Sequence, residues 1–140
     1  MYTKEQIVTE ITFRLNYIQK QYEEILQSLL KSEDPSSTLK WNGSLISFAA
    51  NISVFKSYLQ LITDLEKQNL SEEEILKEFK YEILRNLTKS EDLMSRSTSV
   101  MHNLVEDFEK NALNEILKLA NIRFYNMPEV YTFGFFFLQP

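Results

Sequence analysis

Cysteine is absent from this 140-residue chain, which excludes disulfide scaffolds, thiolate zinc sites and thiol nucleophiles and fits a reducing intracellular setting. Glycine occurs twice and proline three times, at Gly43, Gly134, Pro35, Pro128 and Pro140. Phosphate-cradling glycine loops and glycine-flanked serine nucleophiles therefore have no match. The N-terminal run Tyr2-Thr3-Lys4-Glu5-Gln6 is polar rather than an apolar leader, and the most apolar helix-length window, Leu45 to Ile62, is interrupted by Asn51, Lys56 and Gln60. These features predict a cytoplasmic protein with no membrane segment. Basic clusters are missing too. The net charge is −5, and without a stripe of Lys and Arg to neutralise phosphates the sequence argues against duplex nucleic acid as a partner.

What remains is a chain with 44% hydrophobic residues and almost no helix breakers. Apolar residues recur at three- and four-residue steps over long uninterrupted stretches, so the pattern predicts an all-α, up-and-down four-helix bundle. Its single domain spans residues 1–140, with helices over 1–122 and an extended tail over 123–140. The first helix is predicted to start at Thr3, capped reciprocally by Gln6, and to run to about Lys31. Val8, Ile11, Leu15, Ile18, Tyr22, Ile25 and Leu29 form its seam, and so regular a seam suits bundle packing or a dimer interface. The run Ser32-Glu33-Asp34-Pro35-Ser36-Ser37 reads as a loop. A second helix is predicted from Thr38 or Ser44, with Leu45, Phe48, Ile52, Phe55, Leu59 and Ile62 facing inward.

Ser71 and Glu74 form a second capping box at the start of a third helix, which is predicted to give way near Thr88-Lys89-Ser90. The fourth is predicted from about Glu91 to Ile122. Its inward face is read as Leu93, Met94, Val100, Met101, Leu104, Val105, Phe108, Ala112, Ile116, Leu119 and Ala120, with a weak stretch at Ser95–Ser99 that is either a kink or a short loop. Beyond it, Tyr131, Phe133, Phe135 and Phe137 alternate with Thr132, Gly134 and Phe136, lining one face of an extended segment with aromatics. Such a surface must dock, on its own bundle or on a second copy. Together with Trp41, read as packing at the end of the bundle or anchoring a partner, these residues are the expected partner-binding set.

Few side chains suggest chemistry. His102 is the only histidine, and on a helix it shares a face with Glu106 and Glu109, a spacing that offers three ligands to a divalent metal. At 100° per residue that trio falls about 110° from the Leu104–Phe108–Ala112 face, at the boundary with solvent, so no metal site is expected. The clustered glutamates Glu72, Glu73, Glu74, Glu78 and Glu82 are explained by dipole complementarity and a solvated face.

Arg96 followed six residues later by His102 resembles the pattern of the HEPN superfamily, helical bundles that cleave RNA or bind nucleotides. The resemblance implies that Arg96 stabilises phosphate charge and His102 moves a proton. It covers seven residues, and the chain departs from the family in having Ser97 beside the arginine and Asn103 after the histidine. It also requires a break between the two residues, because an unbroken helix would set them about 120° apart. The plainer reading is a surface arginine and a histidine paired with Glu106.

The preferred expectation is a non-enzymatic interaction or regulatory protein, an adaptor, inhibitor or immunity-type partner. It needs no cofactor, forms a homodimer, and presents its acidic second half to a basic protein partner. The alternatives are a HEPN-like module using Arg96 and His102, and a bundle holding an apolar small ligand between the tail and the second and fourth helices.

Overall fold

The computed structural model describes residues 3–32, 34–96 and 99–121. Four helices follow one another: α1 (Lys4–Lys31), α2 (Pro35–Glu66), α3 (Glu72–Arg96) and α4 (Val100–Asn121). No strand occurs among the described residues. The fold is the all-α bundle that the periodicity predicts; the tail segment and its aromatic positions lie outside the described residues.

Both capping boxes form. Thr3 Oγ1 accepts from the Gln6 amide at 3.1 Å while Gln6 reaches back to the Thr3 amide at 2.8 Å. The Ser71–Glu74 pair repeats this at 3.2 and 3.0 Å, and the same hydrogen bonds hold the Glu74 carboxyl below its usual range. Two boundaries differ from expectation. Pro35 opens α2 instead of ending a loop: its fixed φ suits the first helical turn, and Asp34 caps it by accepting from the Ser36 amide at 3.1 Å. Asn42 and Gly43 consequently lie inside α2 and make no turn. α3 runs past Thr88-Lys89-Ser90 to Arg96, because Thr88 donates to the Leu84 carbonyl within the helix and Ser90 to Glu106 across to α4. α3 ends at Arg96 and α4 begins at Val100, with Ser99 outside both helices.

Cross-helix contacts fix the directions. Lys4 at the start of α1 meets Glu66 at the end of α2 at 2.6 Å; Tyr58 of α2 meets Asn86 of α3; Glu91 of α3 meets Lys110 of α4 at 2.8 Å. Consecutive helices are therefore antiparallel, and α2 and α4 run the same way. α2 packs on both α1 and α4, whereas α1 and α3 touch little. Asn69, at φ 56°, turns the chain between α2 and α3, a left-handed conformation that asparagine tolerates better than most residues.

The core occupies one half of this bundle. Its buried apolar residues are Ile7, Ile11 and Leu15 of α1, Val54, Phe55, Tyr58, Ile62 and Leu65 of α2, Ile75, Leu76, Phe79, Ile83 and Leu87 of α3, and Ala112, Leu113, Ile116, Leu117 and Leu119 of α4. Phe79 has no exposed surface and meets the Tyr58 ring edge-on, with centroids 5.6 Å apart. This closed half holds the α2–α3 turn. In the opposite, open half, among the residues whose burial is described, none of α1 beyond Leu15 and none of α2 before Ala50 is fully buried. α2 has 32 residues and α4 has 22, but helix length alone does not account for the asymmetry: Arg14 of α1 meets Glu115 of α4 at 3.0 Å, which sets the start of α4 near the level of Leu29, close to the end of α1. Two predicted seams change accordingly. On α2, Val54, Tyr58 and Leu65 carry the core and Leu45, Phe48, Ile52 and Leu59 are half-buried. On α4, Leu113 and Leu117 are buried, while Val100 is 80% exposed.

Lys80 is the one charged side chain in that core among the described residues, and burial lowers its pKa to about 8. In the unfolded chain the ammonium titrates near 10.5, so between these values the unfolded state binds more protons. Stability should therefore rise with pH from about 8 towards 10. Tyr58, pushed up to about 12 mainly by burial, opposes this only above about pH 10, where unfolded tyrosine ionises. Urea midpoints across this range check the slope, and Lys80→Met should flatten it.

Candidate functional site

Each residue singled out for chemistry lies around the α3–α4 turn. Arg96 is the last residue of α3, and its side chain is outside the described part. Ser99 opens α4: its hydroxyl accepts from the His102 amide at 3.2 Å and its carbonyl from the Asn103 amide at 3.1 Å. His102 therefore sits in the first turn of α4, on the far side of a real interruption from Arg96. Its side chain is 45% exposed, with Nε2 4.0 Å from Glu106 Oε1. The second oxygen of Glu106 accepts from the buried Ser90 hydroxyl at 2.8 Å. Glu109, one turn on, has its carboxyl held above the usual range by burial, reinforced by the charge of Glu106 and opposed by His102.

The placement of this trio differs from the sequence-based expectation. Ala112, Leu113, Ile116, Leu117 and Leu119 define the buried face of α4, and at 100° per residue the trio lies about 35° from its centre. His102, Glu106, Glu109, Leu113 and Ile116 thus form one stripe, polar in the open half and fully buried in the closed half. The sequence reading erred by centring the face on Leu104 and Phe108, which are only half-buried. A metal centre does not follow: no group of three or more His, Asp or Glu side chains among the described residues is placed to hold an ion. The carboxylate of Glu106 is instead shared between Ser90 and His102.

Of the expected partner-binding set, Trp41 lies within α2 rather than ahead of it, half-buried in the open half. Tyr131, Phe133, Phe135 and Phe137 lie outside the described residues. In the same half, Ile18, Tyr22, Ile25 and Leu29 of α1, and Leu45, Phe48 and Ile52 of α2, are all only half-buried, with Ile18 and Ile52 packed against the edge of the core. A Cβ placed at Gly43 would meet nothing within 4 Å. α2 from Trp41 to Glu66 is long and apolar enough to cross a membrane by length and composition, yet 28% of its most apolar stretch is buried.

A groove of about 510 Å³ lies between α1 and α2 near Lys4, Val8, Leu59, Ile62, Thr63 and Glu66. It belongs to the closed half, away from α4, and the Lys4–Glu66 ion pair lies among its lining residues. The apolar ligand site envisaged between the tail and helices α2 and α4 falls partly outside the described residues.

Sequence reasoning missed two buried polar contacts. Asn86 donates to the Tyr58 hydroxyl at 2.6 Å, and that hydroxyl donates to the Glu82 carbonyl at 3.3 Å. Ser90 pairs with Glu106 as described. Asn86 and Ser90 do share the Phe79–Ile83–Leu87 face at helical spacing, a signal that was available. Comparison with family models, characterised proteins and solved structures gives no match for this chain.

Proposed function

We propose that this protein is a non-enzymatic helical interaction module that works as a homodimer through the open half of the bundle. One observation carries the reading: along the α1–α2 hairpin an apolar stripe, Ile18 to Leu29 and Leu45 to Ile52, is only half-buried. Left exposed, that surface costs the protein, whereas a self-complementary pair of such stripes buries both. The other half of α2 is already engaged in the protein core with Ile7, Ile11 and Phe79, which favours a protein cover over a bilayer. Acidic runs on α3 and α4, Glu72 to Glu82 and Glu106 to Glu115, supply charge for a basic protein partner, whose binding should weaken steeply with salt. Sedimentation velocity over a wide concentration range tests the dimer; a chain that stays monomeric throughout, with or without the residues after Met127, refutes it.

A HEPN-like reading is favoured by a separate observation: Arg96 and His102 belong to different helices, with Ser99 outside both. If Arg96 and His102 work on RNA, single-stranded RNA should be cleaved by the intact chain. Arg96→Ala and His102→Ala should each lower the rate by about 10² or more, the usual contribution of a positioned proton donor or charge stabiliser. Absence of cleavage, or cleavage that survives His102→Ala, removes this reading.

A further inference from the structure

We propose that the aromatic segment Tyr131–Phe137 of the same chain seats on the open-half face of α1 and α2, competing there with a second copy. The inference rests on the reading of that face as an interaction surface and names its intramolecular occupant.

Reach supports it. α4 ends at Asn121, in the closed half, after 22 residues, a length of about 33 Å. The nine residues 122–130 span up to about 30 Å when extended, so Tyr131 can return to the level where α4 begins. The following residues can then run beside Ile25, Leu29 and Phe48, side chains that stay only half-buried in the open half.

Chemistry supports it as well. Tyr131, Phe133, Phe135 and Phe137 present one apolar face at a period of two, and the stretch from Val130 to Leu138 carries no charge. Gly43 and the half-buried Ser44 and Ser47 leave room for rings on α2, while Phe48 beside them gives aromatic contact. Intramolecular docking of this kind occurs at the high effective concentration set by a short linker, so it outcompetes a weak dimer. A tail seated nine-tenths of the time on each protomer would weaken the apparent dimer affinity about 100-fold, because both copies must free the face before they pair.

The absence of native cysteine makes the test clean. Full-length Ser47→Cys/Phe135→Cys protein, checked for native helicity by circular dichroism, is oxidised under mild conditions. A disulfide formed within one chain at a rate independent of concentration is expected. A disulfide formed only between chains, or none at all, overturns the proposal. In parallel, a chain ending at Met127 should show red-shifted Trp41 emission and a dimer about 100-fold tighter. Unchanged Trp41 emission, or loss of a dimer that the full chain forms, also overturns it. If the disulfide forms within the chain while the shortened protein stays monomeric, the tail site stands and the homodimer reading alone fails.

Discussion

Phe79→Ala should lower the unfolding free energy by about 3–5 kcal/mol and the melting temperature by roughly 10–20 °C. Phe79 has no exposed surface, and its ring lies in the part of the bundle where all four helices contribute buried residues. Truncation removes an aromatic side chain and leaves a void that α-helices, fixed by their own hydrogen bonds, collapse around only partly. It also strips Tyr58 of its edge-on partner at 5.6 Å, while the Tyr58 hydroxyl keeps its hydrogen bonds to Asn86 and Glu82. Phe79→Leu, which retains most of the volume, should cost about 1–2 kcal/mol. Urea unfolding with an unchanged slope measures both. A loss below about 1 kcal/mol for the alanine variant would mean that the closed half does not carry the stability of the fold.

Ile25→Glu and Phe48→Glu should each weaken the homodimer by about 100-fold, because burying an unpaired carboxylate in an apolar interface costs a few kcal/mol. Both residues are only half-buried and lie outside the buried core, so helicity and urea midpoints should change far less than for Phe79→Ala. Tyr17→Glu serves as the control. Tyr17 is exposed on the outer face of α1, so its substitution should leave association intact. The comparison is best made on chains with and without residues beyond Met127. If Tyr17→Glu disrupts the dimer and the two open-half changes do not, the interface lies on the outside of α1.

Local capping was fully legible in the sequence. Thr3 with Gln6 and Ser71 with Glu74 act over three residues, and nothing elsewhere in the chain changes their geometry. Pro35 was misread because proline both stops a preceding helix and suits the first turn of the next, and only Asp34 as a cap decides between the two. Thr88 and Ser90 looked like a helix end because their hydroxyls compete for backbone partners; one finds such a partner within α3, and the other finds Glu106 on a different helix. That second contact is not visible locally. The half-empty seams of α1 and α2 were hidden for a similar reason, since full burial depends on how the other helices pack against them. Of the candidate site, the interruption between Arg96 and His102 was anticipated as one of two options at Ser95–Ser99. The inward tilt of the His102 stripe was not, because Leu113 and Leu117 had been left off the buried face.

The pairing of α2 with α4 has a consequence for how the molecule assembles. α1 with α2 and α3 with α4 are hairpins closed by connections of a few residues, so each forms from contacts close in sequence and forms early. Docking α2 alongside α4 joins segments some sixty residues apart and carries most of the loop-closure entropy. The barrier to folding therefore sits at the α2–α4 seam, and substitutions at Val54, Ala112 or Ile116 should slow refolding more than those near the α1–α2 tip.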